Sequence, residues 1–151
     1  MPSHETCPEC GAIWQIGVTC QDYFHQMLYW ENEDPQKGIV HHLMVLGYHL
    51  QHPSLYSPEG LVYGLRLLVD FVEQNVSPQQ VRTQVNSTLN SGQRAWKIRG
   101  KPGSQGEYKH PVHWRMKVLD VMNTGADHYI DSVQQLAHLI LADLRSAGNL
   151  Q

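Results

Sequence analysis

The chain has 151 residues, of which 41% are hydrophobic and 17% are charged, and its formal net charge is −3. This length fits one ordinary domain, and no apolar run approaches the roughly 18 residues that indicate a membrane-spanning helix. The first residues lack a secretory signal pattern, and three cysteines, an odd number, argue against a disulfide framework. We therefore expect a single soluble, cytoplasmic domain over residues 1–151. Ten histidines are the compositional outlier and indicate metal binding.

Helix signals recur along the chain. Thr19 is a suitable N-cap, and Ser57-Pro58-Glu59 combines an N-cap, a proline at the first helical position and an acid in the first turn. Ser77-Pro78 repeats that start signal. Gly148 follows the apolar stripe of the last predicted helix, at the position where glycine often ends a helix. The predicted helices cover about 20–31, 39–52, the residues from 58 onward, 78–89 and 127–146.

A basic segment separates the fourth and the last of these helices. Seven of the 11 Lys and Arg residues lie in residues 94–117. Trp96–Arg99 and Trp114–Val118 alternate apolar side chains with cations, and a period of two predicts strands. We predict a small β-ribbon within residues 94–121, with Gly100–Gly106 as a flexible connection. Alternation puts the cations on the side opposite the aromatics, so they are expected to form mostly a solvated face.

The most informative local pattern is Cys7-Pro8-Glu9-Cys10-Gly11. Two cysteines three positions apart form a tight zinc knuckle, and the following glycine permits the positive φ that turns N–H groups toward sulfur. A redox CxxC normally follows a strand, and no strand is predicted before Cys7. A disulfide between Cys7 and Cys10 is disfavoured by the expected compartment. Two ordinary cysteines in a mobile terminus remain an alternative, but zinc is the preferred interpretation.

A structural zinc site needs four ligands, so the knuckle requires two more. Cys20 begins a predicted helix, where free N–H groups favour a thiolate. A histidine must complete the set, and if the first two helices pair antiparallel, His49 and His52 lie level with Cys20. His41 would be on the order of 12–16 Å away. We predict His52, because Pro53 ends the helix there and leaves the ring freer to reach the knuckle; His49 is the alternative.

The other histidines have simpler interpretations. His41 is expected to hydrogen-bond in the helix interface, and His42 is expected to be solvent-facing or interfacial. His110 and His113 flank Pro111, which makes a helical metal-binding pair there a weak hypothesis. The expected fold class is therefore mainly α: a single domain of about five helices with an N-terminal zinc knuckle and one small β-ribbon.

Three segments form a longer pattern. They are Cys7–Ala12, Thr19-Cys20 at a helix start, and the His41–Pro53 segment, which has the form HxLxVxxYxxQHP. Together they resemble an uncharacterised bacterial family of small soluble proteins, a domain of unknown function. The resemblance implies a mostly helical fold and a zinc site, with no established activity. The matching positions are Cys7, Cys10, Cys20, His41, Tyr48, Gln51 and His52, whereas His42, His49 and the Gly100–Gly106 loop are departures.

Three functions stay open from the sequence. A Cys3His set fills all four coordination positions of its ion and leaves none for water, which is typical of structural zinc. We therefore expect a zinc-containing binding or interaction protein. Polyanion or nucleic-acid binding by the basic residues 94–117, with Trp96 and Trp114 for stacking, is one alternative. A metal-dependent enzyme is another, although the chain has no HExxH, GxSxG or phosphate-binding loop pattern. No catalytic residue is predicted, and no partner is identified.

Overall fold

The computed structural model describes residues 5–15, 17–81, 83 and 99–150. These residues form a mainly helical fold with a small antiparallel ribbon, which confirms the expected fold class. The helices are α1 (Cys20–Glu33), α2 (His41–Leu50), α3 (Pro58–Val72), α4 (Val118–Thr124) and α5 (Tyr129–Ala147). Short 3-10 helices cover Pro35–Val40, Pro53–Leu55 and Ala126–His128, and residues 78–81 are helical. The strands are β1 (Glu5–Thr6) and β2 (Ile13–Trp14). Within these described ranges, no helix has the length and apolar content needed to cross a membrane.

The predicted helix ends are confirmed at residues that favour them chemically. The Asp22 amide donates to Thr19 Oγ1 at 3.4 Å and the Thr19 amide donates to Asp22 Oδ2 at 2.8 Å, so the start of α1 is a reciprocal capping box. Ser57 Oγ accepts from the Gly60 amide at 2.9 Å and caps α3. Gly148 has a φ of +88° and ends α5 in the left-handed conformation that glycine adopts most easily.

Helix α5 lies at the centre of the core, where it packs against α2, α3 and α4. Gly47 lets α2 approach it closely, since a Cβ at that position would lie 3.2 Å from Ile140 Cδ1. Helix α2 ends at Leu50, two residues earlier than predicted, so His52 lies just beyond the helix. The buried apolar residues of α5 are Tyr129, Val133, Leu136, Ala137, Ile140, Leu141 and Leu144.

Helices α1 and α2 are joined at one end by a buried carboxylate. Glu31 Oε1 lies 2.6 Å from His41 Nδ1, and Glu31 Oε2 accepts a hydrogen bond from the Tyr129 hydroxyl of α5. This confirms that His41 hydrogen-bonds in the helix interface. At the other end, Phe24 of α1 stacks on Tyr48 of α2, so the two helices run antiparallel and the start of α1 lies beside the end of α2.

The ribbon is present, but its predicted position was wrong. The strands are β1 and β2, in the register Glu5 with Trp14 and Thr6 with Ile13. Of the segments expected to form it, residues 94–98 lie outside the described residues, residues 114–117 are not strand, and Val118 begins α4.

Side chains from distant elements explain why residues 114–117 form no strand. Gln51 Nε2 donates to the Met116 carbonyl at 2.7 Å, and the Arg115 amide donates to Asp143 Oδ2 at 3.0 Å, so these backbone groups bond to side chains instead of a partner strand. The predicted alternation nevertheless holds, since Trp114 and Met116 are buried and Arg115 is exposed. Alternate burial requires only a locally extended backbone.

The Gly100–Gly106 loop, predicted to be a flexible connection, is docked along residues 53–56. The Gly100 amide donates to the Leu55 carbonyl at 3.1 Å, and the Gly106 amide donates to the Tyr56 carbonyl at 2.6 Å. A Cβ on Gly100 would lie 2.5 Å from the Ser54 and Tyr56 carbonyl oxygens. Glycine is therefore required by the close approach of two backbones, a constraint that a sequence pattern does not distinguish from flexibility.

Candidate metal centre

The N-terminal ribbon holds a tight turn between its two strands. The Cys7 amide donates to the Ala12 carbonyl at 2.7 Å, and the Gly11 amide donates to the Cys7 carbonyl at 3.0 Å. Gly11 has a φ of +82°, and the Cys10 amide lies 3.5 Å from Cys7 Sγ. These features form the knuckle predicted from the CPxCG pattern, in which a backbone N–H group points at sulfur.

Four side chains meet beneath this knuckle. Cys7, Cys10, Cys20 and His52 are all buried, and their potential ligand atoms lie within 4.8 Å of one another. The distance from Cys10 Sγ to Cys20 Sγ is 3.6 Å. Two sulfur ligands of a tetrahedral zinc ion with bonds of about 2.3 Å are separated by about 3.8 Å. The four residues are thus positioned to bind a metal ion, and they are the four singled out in the sequence.

His52 presents one ring nitrogen to the cluster. Its Nδ1 donates to the Tyr48 carbonyl at 2.6 Å, so in the neutral ring that a metal requires, Nε2 is the lone-pair nitrogen. Nε2 is buried and has no hydrogen-bond partner among the described residues. A histidine that ligates a metal typically donates its other N–H to a carbonyl or carboxylate in this way. The unpartnered nitrogen has the chemistry of a ligand atom.

His49, the alternative fourth ligand, lies outside the cluster. Its Nδ1 lies 2.7 Å from the Val45 carbonyl, and its ring packs edge-on against Phe24. His110 and His113 are exposed, and the single cluster of potential ligands found among the described residues does not include them.

The three thiols have interdependent protonation. Hydrogen bonds from the Cys10 and Cys20 side chains lower the pKa of Cys7, whereas the pKa of Cys10 is raised because its thiol bonds to Cys20 and Cys7. Burial acts to lower the pKa of His52, but the Cys20 and Cys7 sulfur atoms outweigh it and raise that pKa to about 10. Cys10 and His52 therefore retain protons when no cation is bound, and a divalent ion favours the release of those protons.

Residues around the cluster fix it to the helices. Trp14 Nε1, on β2, donates to Cys20 Sγ at 3.1 Å. Glu9, inside the knuckle, accepts hydrogen bonds from the Ser54 amide at 2.9 Å and the Ser54 hydroxyl at 2.8 Å. The Tyr108 hydroxyl donates to the Leu50 carbonyl. The Glu9–Ser54 and Tyr108–Leu50 contacts could not be predicted, because no local sequence pattern connects residues 45 or 58 positions apart.

Three described cations of the basic segment have different neighbours. Arg115 pairs with the buried Asp143, its Nε lying 2.6 Å from Oδ1. The Lys117 side chain passes Gly11, where an added Cβ would lie 3.7 Å from Lys117 Cε. Arg99 lines a separate cleft beside α1 and α2. These three described cations therefore do not share one face.

Comparison with known proteins places the chain in a family. Residues 5–145 match the family described as "Family of unknown function (DUF5946)". No curated protein and no solved structure matches the chain. The matched range contains all four residues of the cluster and reaches into α5. The chain therefore belongs to the family of unknown function DUF5946.

Proposed function

We propose that this chain is a single zinc-binding helical domain in which Cys7, Cys10, Cys20 and His52 hold one structural Zn²⁺. The observation that carries the proposal is the burial of four ligand atoms within 4.8 Å of one another. Thiolate and imidazole ligands suit zinc, whereas hard cations such as Mg²⁺ prefer oxygen. All three cysteines are free, and free thiols persist in a reducing cytoplasm, which is where we place the protein.

We infer that the ion has a structural role. Four protein ligands fill a tetrahedral shell and leave no position for a reactive water. The ligands come from the knuckle, the first residue of α1 and the segment just after α2, so the ion joins three separate parts of the chain. Such a centre stabilises a fold and presents surfaces, which favours a binding or interaction protein over a metal-dependent enzyme.

Metal analysis of purified variants tests the proposal. We expect one zinc per chain in the wild type, measured by inductively coupled plasma mass spectrometry after purification in reducing buffer. Cys20→Ser and His52→Ala should lose most of the zinc, because each removes a buried ligand. His49→Ala and His41→Ala, both on the neighbouring helix α2, are the matched controls, and both should retain the zinc.

Two results would contradict the proposal. Full zinc occupancy in His52→Ala with loss in His49→Ala would show that the fourth ligand was assigned to the wrong histidine. Metal-free wild type whose Cys7 and Cys10 are alkylated rapidly under native conditions would remove the zinc centre altogether.

A further inference from the structure

A cleft of about 750 Å³ lies beside the metal centre, between α1, α2, residues 54–56 and the segment 99–105. This volume falls within the range of small-molecule sites, on the order of 300–1,000 Å³. Nothing in the zinc proposal uses this cleft. Its lining includes Phe24, Tyr48, His49, Tyr56, Arg99 and Gln105.

Aromatic rings in the cleft are held in place by one another. Phe24 stacks on Tyr48 with ring centroids 4.3 Å apart and planes 14° apart. His49 meets Phe24 edge-on at 6.1 Å and lies 5.4 Å from the Tyr56 ring. Rings that are already fixed lose little conformational entropy when a flat ligand packs against them. This set of rings therefore favours a planar aromatic ligand.

The polar lining of the cleft favours negative charge. No Asp or Glu is among the described lining residues, although the chain has 14 acidic residues. Arg99 is exposed and forms no ion pair with any carboxylate that the structure describes. A guanidinium binds a carboxylate or phosphate through two parallel hydrogen bonds. Gln21 and Gln105 add amide groups to the lining.

His49 adds a hydrogen-bond acceptor to the aromatic rings. His49 Nδ1 lies 2.7 Å from the Val45 carbonyl and donates to it, so the neutral ring carries its lone pair on Nε2. A ring N–H or O–H of a ligand is the complementary group.

We propose that this cleft binds a small planar aromatic compound carrying one anionic group, a carboxylate or a phosphate. The ring packs against the aromatic side chains, and the anionic group pairs with Arg99. The inference rests on the proposed function, because it names the ligand class of a zinc-containing binding protein.

The metal centre positions part of the cleft lining. The Tyr48 carbonyl accepts the hydrogen bond from His52 Nδ1, and the two rings lie 4.6 Å apart. Ser54, another lining residue, is held by Glu9 of the knuckle. The zinc-loaded chain is therefore the form to test.

Calorimetric titration with matched probes tests the ligand class. We expect 2-naphthoate or 2-naphthyl phosphate to bind the zinc-loaded wild type. Comparing the affinities of these two probes shows whether the cleft prefers a carboxylate or a phosphate. The neutral 2-naphthamide should bind at least about tenfold more weakly, because it cannot form the charge-assisted pair. Cyclohexanecarboxylate keeps the charge but lacks the flat ring, and it should also bind more weakly.

Variants test the assigned residues. Arg99→Ala should weaken binding of the preferred probe about tenfold, and Phe24→Leu should weaken it for all aromatic probes. Arg66→Ala is the matched control, since Arg66 is an exposed arginine of α3 outside this cleft, and it should bind like the wild type. Zinc content is measured for each variant.

The outcomes separate the two proposals. Zinc-loaded wild type that binds neither naphthyl anion at millimolar concentration overturns the cleft inference and leaves the zinc centre intact. Equal affinity in Arg99→Ala and the wild type also overturns it. A chain that binds the probes as predicted but holds no zinc would contradict the proposed function alone.

Discussion

At the scale of single residues, Glu31 shows how a buried charge joins three helices. It is buried, near the end of α1, and its two oxygens contact His41 of α2 and Tyr129 of α5. The pKa of Tyr129 is raised, first by its burial and then by the neighbouring Glu31, so its hydroxyl stays protonated and donates. Each oxygen of the carboxylate thus has its own donor.

Replacing this carboxylate tests its contribution. Glu31→Gln keeps the shape but puts an N–H₂ group where one of the two donors now points. Since hydrogen bonds to charged groups contribute about 1.5–3 kcal/mol, we expect the free energy of unfolding to fall by about 2 kcal/mol in urea titrations. Glu33→Gln, an exposed change on the same helix, should have little effect. Equal stability of both variants would contradict this account of Glu31.

Residue roles were partly readable from the sequence. The choice of His52 over His49 followed from helix register and from Pro53, and the structure brings His52 to the three cysteines. The role of Glu31 was not readable, because its partner Tyr129 lies 98 residues away. Pairing over that separation depends on how α5 packs, which no local pattern reports.

At the scale of elements, the start of α1 combines a cap with a candidate ligand. Thr19 forms the capping box with Asp22, and Cys20 is the first residue of the helix. The cap therefore fixes the position of the Cys20 sulfur relative to the knuckle. Weakening the cap should loosen the metal centre without removing a ligand.

Thr19→Ala separates these two effects. Loss of an N-cap side chain costs about 1 kcal/mol, so thermal unfolding should occur at a lower temperature. We expect the variant to be purified with one zinc but to release it faster to a competing chelator with a colorimetric signal. Thr124→Ala, an exposed threonine on α4, is the control and should match the wild type in release rate. An unchanged rate of zinc release from Thr19→Ala would show that the cap does not stabilise the metal centre.

Helix ends were easier to predict than strands. Thr19, Ser57 and Gly148 each act through a side chain or backbone preference within a few residues, so their sequence context is sufficient. Helix α4 was missed because the alternation that ends at Val118 resembled a strand. The groups that hold residues 115 and 116 in place belong to Asp143 and Gln51, which are remote in sequence.

At the scale of the whole molecule, the knuckle and the helical core are stabilised differently. Helix α5 buries a continuous apolar face, whereas the strands beside the knuckle are two residues long and Glu5, Thr6 and Ile13 are exposed. Such short strands bury too little apolar surface to order themselves. We therefore expect the order of the knuckle to depend on the proposed metal ion and on its few side-chain contacts.

Metal removal should affect these two parts unequally. Structural zinc contributes on the order of 10 kcal/mol of binding free energy to folding. With a chelator present, we expect hydrogen–deuterium exchange to rise strongly over residues 5–15 and the first turn of α1, and much less over α5. Cys20→Ser without chelator should reproduce this pattern. Equal loss of protection in α5 and in the knuckle would show that the metal holds the whole chain together as one cooperative unit.

The positions of the four candidate ligands along the chain also bear on its biosynthesis. All four lie within residues 7–52, whereas the central helix of the core begins at Tyr129. The ribosome produces the N-terminal part of a chain before the C-terminal part. A nascent chain thus has a complete set of zinc ligands while the face of α2 that receives α5 is still uncovered. An ion bound at that stage would hold α1 and α2 as a hairpin until α5 arrives, so zinc supply during translation, rather than after it, should govern the yield of folded protein.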